Sequence, residues 1–164
     1  MSRSRNFFLL LFGVMLLVCP MSWAETGCFD YSVDAVFSGN PQNPYAPYAG
    51  VLNERIDGQT VEQVPATLII GTIKFGDDGT LLTVNTVIHS YGNRGTLILT
   101  EHAVASPTDN PYVYRLNSRL DICVSEDPKC TGDFETAFGR ISFHGYMDFS
   151  IAMFAGSGRG KICW

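Results

Sequence analysis

The chain has 164 residues, of which 46% are hydrophobic and 16% charged, and a formal charge of −5. That length suffices for one domain with its own core and excludes two comfortable ones. Lysine and arginine stand singly from Arg55 to Lys161, so the charge runs that bind a phosphate backbone are absent and nucleic acid is not an expected partner.

The first element is a hydrophobic run, residues 7–18, behind Arg3 and Arg5 and ahead of Ser22-Trp23-Ala24. Twelve residues make about 18 Å of helix, well short of a hydrocarbon core of about 30 Å. The run therefore reads as a signal peptide, residues 1–24, with the small residues Ser22 and Ala24 at the cleavage site. Cys19 makes no lipobox, because Val18 is bulky where Gly or Ala is needed. Cleavage leaves residues 25–164 as a single domain that keeps nine of the eleven basic groups and all sixteen acidic ones, a formal charge of −7. The expected location is the periplasm or the cell exterior.

Four cysteines remain: Cys28, Cys123, Cys130 and Cys163, an even number in an exported chain, which predicts two disulfides. Of three possible pairings, loop geometry favours Cys123 with Cys130, which flank the polar segment 124–129. The other pair, Cys28 with Cys163, would then tie the first strand to the last. Cys28 and Cys163 have no Cys or His at ligand spacing, so no metal is expected.

Beyond the signal, apolar residues alternate rather than recur at helical spacing. Strands are predicted near residues 29–38, 49–56, 67–75, 80–90, 96–106, 112–124, 137–147 and 150–163, with tight turns at Gly76-Asp77-Asp78-Gly79 and Gly92-Asn93-Arg94-Gly95. Eight strands at meander spacing predict an all-β fold, an eight-stranded antiparallel up-and-down barrel of calycin-like form. Closure would remove exposed edges, and a terminal disulfide would lock the seam. Residues 38–47, with Pro41, Pro44 and Pro47, are predicted to form a loop over one barrel mouth. Gly156, Gly158 and Gly160 share one face of the last strand and predict a crowded interior.

The segment Thr131-Gly132-Asp133-Phe134-Glu135-Thr136-Ala137-Phe138-Gly139 matches the pattern Thr-Gly-x-Phe-x-x-Ala-x-Gly. This resembles the signature of the dirigent and allene oxide cyclase family of eight-stranded barrels, and residues 140–163 look like the end of its bacterial secreted members. The resemblance implies that Thr131, Gly132, Phe134, Ala137 and Gly139 are structural, with Phe134 tucked under the barrel. It also implies an interior that holds an apolar small molecule and, in some relatives, steers a cyclisation or coupling without a cofactor. Plant dirigent proteins usually carry two glycines where this chain has Lys129-Cys130, consistent with a disulfide loop in place of a glycine turn.

Chemistry has few places to sit. His89, His102 and His144 fall in separate strands and read first as surface or satisfied core histidines. There is no Gly-x-Ser-x-Gly and no glycine loop followed by a helix, so no cofactor is expected. In residues 112–124, Tyr114, Leu116, Leu120 and Ile122 form an apolar face, while Arg115, Asn117, Arg119 and Asp121 form a polar one. In residues 137–147, Phe138, Arg140, Ser142, His144 and Tyr146 oppose Ile141, Phe143 and Met147. The candidate site places that even set inside, with His144 or Glu101 as general acid or base, Arg140 facing developing oxyanion charge, and Tyr146, Ser142 and Phe138 as binding walls. Glu101 and His102 alternate, so only one of them can join it.

Parity makes the assignment all-or-none: a slip of one residue would bring the more apolar odd set inward. The even set is preferred because a cyclase pocket needs polar groups, and this strand offers an Arg, a His and a Tyr together.

The expected function is binding of a small apolar molecule inside the barrel, with cofactor-free steering of a ring closure or isomerisation. The rival is a non-catalytic ligand-binding or structural module. A filled interior favours the rival, and a cavity of several hundred cubic ångströms with two or more ionisable groups favours the enzyme. A third reading, an outer-membrane barrel, draws on Trp164 but is opposed by Arg115, Arg119 and Asp121 alternating down one strand.

Overall fold

Alternation of apolar and polar side chains becomes alternation of buried and exposed residues in nearly every strand of the structure, a computed structural model. It describes residues 27–164 apart from Pro44 and Glu62; the predicted signal peptide and Cys19 lie outside the described residues. The strands are β1 (Cys28–Ser38), β2 (Tyr48–Ile56), β3 (Gln59–Thr60), β4 (Val64–Phe75), β5 (Leu81–Ser90), β6 (Thr96–Pro107), β7 (Val113–Ile122), β8 (Phe138–Asp148) and β9 (Met153–Cys163). Eight of them form a continuous antiparallel meander, and β9 returns to β1 to close the barrel. The two-residue β3, which sequence reading did not separate, folds back on β2 across Asp57-Gly58, both at positive φ as a tight hairpin turn requires.

The seam joins β1 to β9 over eleven paired positions, from Cys28 opposite Cys163 to Ser38 opposite Met153. A disulfide links Cys28 to Cys163 at its end, and a second links Cys123 to Cys130. Gly158 shows why the last strand is glycine-rich: a Cβ there would lie 3.0 to 3.2 Å from Ile141, Phe143 and Val33, a core already at packing distance.

The end bearing the terminal disulfide is plugged. Phe134 ends a short 3-10 turn (Gly132–Phe134) and is buried, its ring 4.5 Å from that of Tyr91 and edge-on to Trp164 at 6.4 Å, with the Arg94 guanidinium over the ring at 5.9 Å. Trp164 also stacks on Phe29 at 5.1 Å, so the terminal aromatic belongs to the plug. The rest of the motif serves this turn. Thr131 Oγ1 accepts the Thr96 N–H at 3.0 Å, and Ala137 is buried. Gly132 (φ 63°) and Gly139 (φ 148°) occupy backbone conformations that side chains strain.

The opposite end is open. There β4 carries a bulge between Ile70 and Thr72, and the extra residue changes which parity faces inward. Ala66, Leu68 and Ile70 point in below the bulge; above it, Ile73 and Phe75 line the mouth.

Candidate functional site

The expected site on β8 is on the wrong side of the wall. Ile141, Phe143 and Met147 are buried, while Phe138, Arg140, Ser142, His144 and Tyr146 are exposed. Burial of the more apolar set decided the register, as it does whenever one face of a strand packs on a core. Arg140 is spent on an ion pair, its Nε donating to Asp121 Oδ1 at 2.8 Å while Arg119 Nε reaches Asp121 Oδ2 at 3.0 Å. Burial pushes the Asp121 carboxyl up, and Arg140 and Arg119 more than offset it, holding it below its usual range. His144 Nδ1 lies 2.7 Å from Asn117 Oδ1, and with Tyr146 it borders an open external groove. Arg140, His144, Ser142, Tyr146 and Phe138 therefore have no access to the interior.

Glu101 is the one proposed acid–base residue that faces inward, while its neighbour His102 faces out. Only 4% of Glu101 is exposed. Its Oε2 accepts from Asn85 Nδ2 at 2.8 Å and its Oε1 from Ser118 Oγ at 2.7 Å. Asn85 Nδ2 also donates to Thr83 Oγ1 at 3.0 Å. With both N–H bonds committed on that side, the buried Oδ1 of Asn85 accepts no hydrogen bond from any described residue.

A second polar cluster lies toward the plug, and sequence reading did not join its members. Glu54 is fully buried, with Oε1 2.8 Å from His89 Nδ1, a close approach whose alignment falls short of a hydrogen bond. Tyr91 Oη donates to Glu54 Oε2 at 2.6 Å, and the buried Tyr31 hydroxyl lies beside the same carboxylate. Burial pushes the Glu54 carboxyl up, but His89 and then the two tyrosines outweigh it and hold it below the usual carboxylate range. Burial first, and the Glu54 charge second, push both tyrosines well above theirs, so both stay protonated.

This depression has a signed consequence. Glu54 contributes stability that is fully present above the ordinary carboxylate range and is lost as pH falls through its lowered folded value. Glu54→Gln should cost about 2 kcal/mol at pH 7, the order of a hydrogen bond to a charged group, and flatten the acid limb of the stability curve. Urea unfolding across pH 3 to 7 would show it. Curves for the two proteins that run parallel would mean that Glu54 is not the titrating group.

Space inside is divided in two. The core encloses a cavity of about 30 Å³ bordered by His89 and Glu101, room for a water or two. At the open mouth lies a larger cavity of about 190 Å³ with Tyr48, Phe154, Ile73 and Tyr114 in its wall and Asn85 at its inner end. Tyr45 from the predicted mouth loop stands at its rim, 71% exposed.

Parity could have found Glu54, which shares a face with Leu52. It would have misled on β5, where Thr83, Asn85 and His89 face inward while Leu82 and Val84 are exposed. Among the described residues no group of three or more His, Cys, Asp or Glu side chains is placed to hold a metal ion, and no helix is long and apolar enough to cross a membrane. Comparisons with protein-family models, curated proteins and solved structures found no match to this chain.

Proposed function

We propose that this chain is an exported ligand-binding barrel that takes the apolar body of a small molecule at its open mouth. The observation that carries the reading is the mouth cavity of about 190 Å³, mostly apolar in its walls, with buried Asn85, whose Oδ1 has no hydrogen-bond partner among the described residues, in its lining. A cavity of about 150 Å³ accepts benzene, so this one has room for a ring with a short tail. An apolar wall with one or two placed polar groups is the usual composition of a small-molecule site.

Binding without turnover is the form of this reading that the geometry supports best. The Glu54 and His89 pair lies beneath packed core, and the space beside His89 is too small for a substrate. The steering of a cyclisation or isomerisation, which the dirigent and allene oxide cyclase resemblance implies, would have to run at the mouth. Glu101 behind Asn85 would be its acid–base group, since His144 and Arg140 face out. Two disulfides support an oxidising compartment. Mid-strand ion pairs on the outer surface, Arg55 with Asp34 and Asp121 with two arginines, support a wall facing water rather than lipid.

The probe for this reading is 3-phenylpropan-1-ol, followed by calorimetry and by the chemical shift of the Asn85 side-chain amide. Saturable binding with a shift at Asn85 is expected. Ile73→Trp, at a partly exposed wall position, should weaken it about tenfold or more with the melting temperature little changed. Undiminished binding to Ile73→Trp would place the probe elsewhere, and absence of saturable binding to the wild type would overturn the reading.

A further inference from the structure

We propose that the polar end of the mouth ligand is a protonated amine that keeps at least one N–H. This rests on the mouth-binding reading and adds the ligand's charge. Glu101 is the starting point. It is buried, its two hydrogen-bond donors are the neutral Asn85 and Ser118, and no Lys, Arg or His among the described residues forms an ion pair with it. The other buried glutamate, Glu54, has His89 at 2.8 Å. Both carboxyl oxygens of Glu101 accept hydrogen bonds, and charge held away from water is poorly screened. Of the two buried glutamates, only Glu54 has a basic side chain of the described residues within ion-pair distance.

Asn85 stands between the Glu101 carboxylate and the mouth cavity, bonding the one and lining the other. Its Nδ2 donates to Glu101 and Thr83, and its Oδ1 is the polar atom left without a partner among the described residues. Six aromatic side chains, Tyr45, Tyr48, Phe75, Tyr114, Phe149 and Phe154, line the cavity in front of it. Aromatic faces attract cations, and no Lys, Arg or His is among the lining residues to repel one. An ammonium with at least one N–H satisfies Oδ1, faces the Glu101 charge through Asn85 and stacks its apolar body on the rings. A carboxylate ligand meets only unfavourable charge, and a quaternary ammonium has no N–H for Oδ1.

Three matched probes separate this proposal from the reading beneath it: 3-phenylpropan-1-amine, 3-phenylpropan-1-ol and 3-phenylpropanoate, titrated calorimetrically into the wild-type barrel at pH 7. The amine should bind at least about tenfold tighter than the alcohol, and the carboxylate more weakly than either. Glu101→Gln should bring the amine to the affinity of the alcohol and leave the alcohol within about threefold. If amine and alcohol bind equally, the charge assignment is overturned while mouth binding stands. If none of the three binds, both fail. A preference that survives Glu101→Gln would overturn the role of Glu101. The wild-type ratio decides the charge of the ligand even where that variant does not fold.

Discussion

Phe134→Ala is expected to cost about 3 to 5 kcal/mol in denaturant unfolding, the range for removing a buried aromatic ring from a core that cannot collapse around the void. Phe134 is 3% exposed, and its ring holds together parts distant in sequence: Tyr91 after β5, Arg94 in the following turn, and Trp164 at the chain end. None of these can follow the missing ring inward, because each is anchored separately. Trp164 exchanges backbone hydrogen bonds with Gly27 and stacks on Phe29, and Tyr91 bonds Glu54. The loss should therefore fall at the upper end of the range and also perturb the Glu54 cluster. A loss below about 1 kcal/mol would mean that the plug is dispensable and that the motif segment has been misread.

Replacing Cys28 and Cys163 together by serine should cost up to about 5 kcal/mol, against about 2.5 for the Cys123 and Cys130 pair. In the chain-entropy account a cross-link restricts the unfolded chain in proportion to the logarithm of the loop it closes. The sequence separations are 135 and 7. The terminal link also sits on the seam where β9 returns to β1, so its removal frees the pairing that every other barrel strand depends on for closure. Urea midpoints of the two double variants, measured at matched slope, give the comparison. If the short-loop variant is the less stable of the two, local strain rather than loop entropy governs, and the account fails.

The barrel was legible because its signals are local. Gly76 to Gly79 and Gly92 to Gly95 mark turns wherever they occur, and alternation marks strands without reference to partners. The disulfide pairing was legible for a related reason, since a short polar loop between two cysteines leaves one remaining pair. Side-chain direction was not legible to the same degree. On β8 the apolar parity of Ile141, Phe143 and Met147 correctly points inward, and preferring polar groups for chemistry placed Arg140, His144 and Tyr146 on the wrong face. On β5 the apolar parity of Leu82 and Val84 points outward, because Asn85 pairs across to Glu101 and Val84 to His102. In β4, Gly71 lies in a bulge that switches parity partway along the strand, and that isolated glycine is its one local mark.

By itself the sequence determined the eight barrel strands, though not the short β3, together with the turns and the cross-links, all of which depend on residues close together in the chain or on covalent pairing, while Phe134 as a buried anchor followed from the resemblance of its segment. Only the tertiary structure decided that Glu54 meets His89, Tyr31 and Tyr91, and that Glu101 meets Asn85 and Ser118. The physical reason is that a buried polar group finds its partners through the register of neighbouring strands around a closed sheet. A shift of one residue in any pairing exchanges the inside for the outside, and that register is set jointly by the eight strands rather than by any one of them.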